Sequence, residues 1–246
     1  MSNALLIGLS RQVALARELD VIANNMANVT TNGFKARNTQ FREFLMPGAS
    51  AAGLSGGNRQ VSFVAEAGAP LDLAPGAIER TGNPLDAAVR GDGFFAVQTP
   101  AGERYTRNGS FQVGPGGELR TSDGHAVLGD NGPIVFGPED TAPSIAPDGT
   151  VQSAQGLRGR VRLVRFADPA SLRNEGANLF AATVPPQADP TSRLEAGAIE
   201  RSNVKPVLEM ARLMDVSRAY TSVSNALSRL DELRRSTIQR LAEAAA

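Results

Sequence analysis

Cysteine is absent from the 246 residues, so no disulfide, thiolate metal site or cysteine nucleophile can form. There is a single histidine, His125. A Ser-His-Asp site would have to use it, and a multi-histidine metal centre is excluded. His125 stands beside Asp123-Gly124, where a turn residue is expected and nothing local supplies an acid and a nucleophile. No tryptophan occurs and only Tyr105 and Tyr220 represent tyrosine, a weak basis for an aromatic sugar platform. No run of eighteen apolar residues exists, so no transmembrane segment is expected. Neither sign of charge prevails: Lys plus Arg and Asp plus Glu are 25 each, which gives no general attraction to nucleic acid or anionic lipid. The first apolar stretch, residues 4–9, has no basic residue before it and runs into an amphipathic pattern, so no cleaved leader is expected.

What is present divides the chain by periodicity. Leu5, Leu9, Gln12, Ala16, Leu19, Ala23 and Met26 recur at 4-3 spacing, widened by Leu6, Val13 and Ile22. That predicts an amphipathic helix with a near-heptad seam, ending near Val29 ahead of Gly33. At the other end Leu213, Val216, Tyr220, Val223, Leu227 and Leu230 keep 3-4 spacing, and Leu233, Thr237 and Leu241 extend the line. Pro206 suits a first helical turn, and no Gly or Pro follows it. Glu209, Arg212, Asp215 and Arg218 are expected on the opposite, solvated face.

Between the helices the signal is β. With 25 Gly and 15 Pro, turns are frequent, and Tyr105-Thr106, Phe111-Gln112-Val113 and Val161 to Phe166 show apolar-polar alternation. Turn chemistry sits at Asn108-Gly109, residues 114–117, Asp123-Gly124, residues 130–133 and Asp148-Gly149. The expected fold is mainly β with terminal α-helices: an antiparallel β body, a small barrel or sandwich, flanked by N- and C-terminal coiled-coil helices. The expected divisions are 1–35 for the first helix and its signature, 36–75 for a loop or extended linker, 76–196 for the β body, and 197–246 for an extended segment and the last helix. Residues 48–57, rich in Gly, Ala and Ser, read as a loop. Asp168-Pro169 reads as the start of a short helix, and Pro185, Pro186 and Pro190 as the end of the β region. Gly76-Ala77-Ile78-Glu79-Arg80 recurs as Gly197-Ala198-Ile199-Glu200-Arg201, and the two copies are expected to pair as extended segments.

Three features invite sharper readings. Gly91-Asp92-Gly93 leads into Phe94-Phe95-Ala96-Val97, a strand pattern without a helix N-terminus to hold phosphate, so a tight turn is expected. Arg158, Arg160, Arg162 and Arg165 read as a solvated edge, with an acidic neighbour as the second reading. Asn24, Asn25 and Asn28 are poor helix formers, which leaves two readings open, hydrogen bonds across a packed helix-helix or subunit contact and solvent-facing amides at a fraying helix end. The two apolar seams need cover, either in a helical hairpin within one chain or by stacking of many copies through a non-closing contact.

The run Leu19-Asp20-Val21-Ile22-Ala23-Asn24-Asn25-Met26-Ala27-Asn28, continued by Thr31-Asn32-Gly33-Phe34-Lys35, resembles the N-terminal signature of flagellar basal-body rod and hook proteins. Glu200-Arg201-Ser202-Asn203-Val204, Glu209-Met210 and Arg218-Ala219-Tyr220 resemble their C-terminal signature, and Pro84 to Val97 with Tyr105 to Phe111 their body. Within the family, the short chain and Leu128-Gly129-Asp130-Asn131-Gly132-Pro133-Ile134 are more like the proximal rod proteins than the distal ones. The resemblance implies a structural rod subunit of the bacterial flagellum basal body that polymerises through its terminal helices, with no catalytic, cofactor or metal site. It implies other rod proteins and copies of itself as partners, and passage through the flagellar export apparatus to the periplasm-spanning rod. The signature residues it marks are Asn24, Asn25, Asn28, Gly33, Phe34, Ser202, Asn203, Glu209 and Met210. A cell-wall-binding β module is the alternative outside the family.

Overall fold

A computed structural model describes residues 2–46, 61–66, 70–168 and 171–244. Two helices bracket a series of short strands. Helix α1 is Ser2–Ala27 and helix α2 is Pro206–Ala244. The first ends where expected: Thr31 N bonds back to the Asn28 carbonyl, and Gly33 adopts a φ of 69°, a conformation without steric penalty only for glycine. The second opens on Pro206, whose missing N–H costs nothing in a first turn, and carries Glu209 there, where the helix dipole favours an anion. Among the described residues, no helix is long and apolar enough to cross a membrane.

The chain separates into two compact units. One is built on α1 and α2 and includes the antiparallel hairpin Phe41–Met46 with Val61–Glu66, which pairs Phe44 with Phe63. These two strands fall within the span 36–75, and the expected loop at 48–57 lies outside the described residues. The other unit is the β body, Ala27–Ala36 together with Leu71–Val204.

The body is a set of antiparallel sheets that do not close into a barrel. Along its largest sheet the strands run Leu172–Gly176, Leu179–Ala182, Gly102–Thr106, Phe94–Thr99, Ala126–Gly129, Leu119–Thr121 and Phe111–Val113. Phe94–Thr99 is covered on both faces. Phe95 and Val97 enter one core with Phe111, Leu119, Val127, Ile145 and Val151, while Phe94 and Ala96 enter a second with Tyr105, Leu128, Val164, Leu172 and Phe180. That is why the sequence there is continuously apolar rather than alternating. Edge-to-face rings fill both cores, Phe95 on Phe111 at 5.0 Å and Phe94 on Phe180 at 5.7 Å.

Most turn assignments agree with the fold. Residues 114–117 and Asp123-Gly124 join hairpin partners, and Asp148-Gly149 joins Ser144–Ile145 to Thr150–Ser153; of the turn expected at 130–133 only residues 130–131 turn, Gly132–Pro133 pairing with Leu128-Gly129 as a short strand. Gly91-Asp92-Gly93 is a bend between Ala87–Arg90 and Phe94–Thr99, two strands that do not pair with each other. Asn108-Gly109 is an exception. The strands before and after it do not pair with each other; Gly109 is buried, and a Cβ there would stand 1.7 Å from the Ala87 carbonyl oxygen. Its glycine serves close backbone approach, not a hairpin.

The short helix expected to start at Asp168-Pro169 falls on residues 169–170, outside the described residues; the Asp168 carbonyl accepts from Ser171 N and Ser171 Oγ, and the strand Leu172–Gly176 follows. One further expectation needs correction: the β region continues past Pro185, Pro186 and Pro190, through Arg193–Ala196 and Ala198–Glu200. The duplicated pentapeptide does pair with itself: Ile78–Arg80 lies antiparallel to Ala198–Glu200, with Ile78 opposite Glu200 and Glu79 opposite Ile199.

Candidate assembly surfaces

In the helical unit, α1 and α2 run antiparallel and touch. Gln12 Nε2 donates to Tyr220 Oη at 3.3 Å, and Asn25 Nδ2 reaches Glu209 Oε2 at 3.5 Å. A Cβ on Gly8 would stand 2.5 Å from Leu227 Cδ2, so the glycine lets that leucine close in. Gln12, the polar member of the first seam, is thus part of the contact. Asn25 is the pivot of its end. It is 1 % exposed, and its amide also exchanges two hydrogen bonds with the Arg37 backbone, at 2.9 and 3.0 Å. Asn24 is exposed, and Asn28 Oδ1 accepts from Thr31 Oγ1.

The predicted seams are only partly covered. Val216 is buried, and Leu19, Met26, Tyr220, Val223 and Leu227 are half-buried. Leu9, Ala23, Leu213 and Leu230 are exposed, and the side chain of Leu5 lies outside the described residues. The most buried positions of α1 are Ala14, Ile22 and Asn25, of which the predicted pattern held only Ile22, at its widened margin. Glu209, expected on the solvated face, is buried; Arg212, Asp215 and Arg218 are exposed. What the helices leave open is apolar and helically spaced. Leu6, Leu9 and Val13 form one patch on α1. Val207, Met210 and Met214 form a second on α2, and Leu233, Ile238 and Leu241 a third near its end.

In the β body, the signature residues meet in one place. The strap of residues 27–36 is held by Gly33 N to the Glu200 carbonyl at 2.7 Å and Ala36 N to Asn203 Oδ1 at 2.7 Å. The same Asn203 amide donates to the carbonyls of Asp72 and Ala74. Ser202 Oγ accepts from Val204 N. Phe34, Ala36 and Val204 form a small core beside Val29. Beneath the strap three charged side chains are almost fully buried. Lys35 Nζ lies 2.5 Å from Glu200 Oε1, and Arg107 Nη1 lies 3.6 Å from Glu200 Oε2. Lys35 also donates to the Ala74 carbonyl, and Arg107 to that of Gly91, while its guanidinium stacks 4.8 Å from the Phe94 ring. Burial lowers the pKa of both cations, against the opposing pull of Glu200.

The sequence motifs contain Lys35, Arg107 and Glu200 but give no sign that the three meet. The available signal was a lysine directly after a buried aromatic and a glutamate inside an apolar strand. Elsewhere on the body the basic run is locally engaged. Arg158 pairs with Asp140, Arg160 donates to the Asp148 carbonyl, and Arg162 pairs with Glu103. His125 sits in a turn, its carbonyl accepting from Thr121 N and its own N–H donating to Thr121 Oγ1.

Comparison with known proteins places these segments. Residues 5–35 match the family described as flagella basal body rod protein, 88–153 the flagellar hook protein FlgE/F/G D1 domain, and 195–240 the flagellar basal body rod FlgEFG protein C-terminal family. The chain is 39 % identical to flagellar basal-body rod protein FlgF of Caulobacter vibrioides over 98 % of both chains. It is 37 % identical to FlgF of Mesorhizobium japonicum over 91 % of both. With flagellar basal-body rod protein FlgG of Bacillus subtilis the identity is 33 %, over 95 % of this chain and 97 % of the relative.

Proposed function

Because this chain belongs to the flagellar basal-body rod protein family, and is a structural subunit of that rod better matched to FlgF than to FlgG relatives, we propose that it joins its neighbours through the apolar patches its two helices leave exposed. The observation that carries this reading is the exposure of Leu9 (53 %), Met214 (62 %) and Ile238 (65 %) on otherwise amphipathic helices. Each recovers on the order of 1–2 kcal/mol when a neighbour covers it. The seam residues Leu5, Leu9, Leu19, Ala23, Met26, Leu213, Val216, Tyr220, Val223, Leu227 and Leu230 then divide their work. Buried Val216 and the half-buried ones hold α1 to α2, and Leu9, Leu213 and Leu230 face the next subunit. Other rod proteins and further copies of this chain are the occupants. The contribution is mechanical, transmission of torque by packed helices, with no reaction. Delivery is through the flagellar export apparatus, which suits a chain free of cysteine.

The test is Leu9→Glu with Met214→Glu in the full chain. Both positions are exposed, so stability measured by urea unfolding should change by no more than about 1 kcal/mol. Incorporation into basal bodies, and with it swimming, should be lost. Normal rods built from a subunit charged on both patches would remove the basis of the proposal.

A further inference from the structure

The duplicated pentapeptide places a glutamate at the same step of two paired strands, yet the two carboxylates have opposite surroundings. Glu79 is 54 % exposed at its side chain and pairs with Arg201, itself 41 % exposed. Glu200 is 1 % exposed at its side chain and faces inward. Its Oε1 accepts from Lys35 Nζ and from Gly76 N at 2.9 Å, its Oε2 faces Arg107, and its main-chain carbonyl accepts from Gly33 N. One residue therefore ties together the strap, the segment at 74–76 and the strand end at 107. The fully buried group contains two cations and one anion. Asp72 near Lys35, and Asp92 and Asp189 near Arg107, add a weaker attraction from outside it.

We propose that Glu200 is a completeness lock: the N-terminal strap docks stably on the β body only once the C-terminal strand has brought this carboxylate between Lys35 and Arg107. Without it the strap would bury two like charges together, the costly half of an ion pair. With it each cation faces a carboxylate oxygen, the net charge of the buried group falls from +2 to +1, and the strap closes over it. The excess of cations makes the device asymmetric. Removing Lys35 leaves the balanced pair Arg107–Glu200, whereas removing the charge of Glu200 strands two cations. A plain salt bridge would suffer equally from either loss.

The experiment compares Glu200→Gln, Glu79→Gln, Lys35→Met and the double variant Lys35→Met/Glu200→Gln in the full chain, by amide hydrogen exchange of residues 33–36 and of Phe94–Thr106. Glu200→Gln should speed exchange of the strap by on the order of 100-fold or more. Glu79→Gln should change it by less than about threefold, and Lys35→Met by less than about tenfold. The double variant should recover at least about tenfold relative to Glu200→Gln alone. Should Glu200→Gln fail to fold, Lys35→Met and the double variant must still fold. Equal effects of Glu200→Gln and Lys35→Met, or of Glu200→Gln and Glu79→Gln, would overturn the lock, as would a double variant no better than Glu200→Gln.

Discussion

Gly33 answers two constraints at once. Its φ of 69° is left-handed, and a Cβ would stand 2.4 Å from the backbone of Arg107 and Asn108. Gly82 has a similar φ, 74°, with nothing within 4 Å of its Cβ position. Gly33→Ala should therefore cost about 1–2 kcal/mol for the backbone plus about 1–3 kcal/mol for displaced neighbours, and Gly82→Ala only the first. Urea midpoints of the two variants measure the difference. Asp189 gives a pH signature. Burial works to raise its pKa, but hydrogen bonds from the side chains and backbone of Ser192 and Thr191 hold it at about 2. A folded pKa below the unfolded one contributes stability that is present above about pH 4 and lost as the pH falls towards 2. Asp189→Asn should therefore destabilise the protein at neutral pH, and its gap from the parent chain should close between about pH 4 and 2 in acid titrations followed by circular dichroism. A gap independent of pH would show that the carboxylate contributes only shape.

The elements differ in how much of their length is supported. Gly8 lies opposite Leu227 and α1 begins at Ser2, so α2 runs on beyond the start of α1 from about residue 233. At 1.5 Å per residue that is a projection of roughly 16 Å. Its apolar residues Leu233, Ile238 and Leu241 are 62–65 % exposed. Deleting residues 233–246 should leave the melting temperature of the free subunit within about 2 °C, while reducing incorporation into rods. A fall of more than about 5 °C would mean that the projection packs within its own chain. Both helices were legible as helices, because period and capping are local. Which line of α1 is most buried was not. The choice of Ala14, Ile22 and Asn25 over Leu9 and Ala23 depends on where Tyr220, Leu227 and Glu209 arrive from the far end of the chain.

At the scale of the molecule, an intramolecular contact between the helices and exposed patches on the same helices are both present, so the choice between a hairpin and a stack is not exclusive. The β body adds a second kind of order: two sheet faces buried around Phe94–Thr99, and the signature residues Gly33, Phe34 and Asn203 joined where the strap docks. The sequence alone determined the helical ends, the β middle, the self-pairing of the pentapeptide, the absence of cysteine chemistry and the family resemblance. These depend on residue type and short-range spacing. Only the tertiary structure decided that Asn108-Gly109 is a buried crossing, that Glu209 turns inward, and that Glu79 and Glu200 part ways. A glutamate in the same five-residue string is a surface ion-pair partner or the centre of a buried charge group according to what folds against it. For Glu200 those partners, Lys35 and Arg107, are 165 and 93 positions away, beyond the reach of any local pattern.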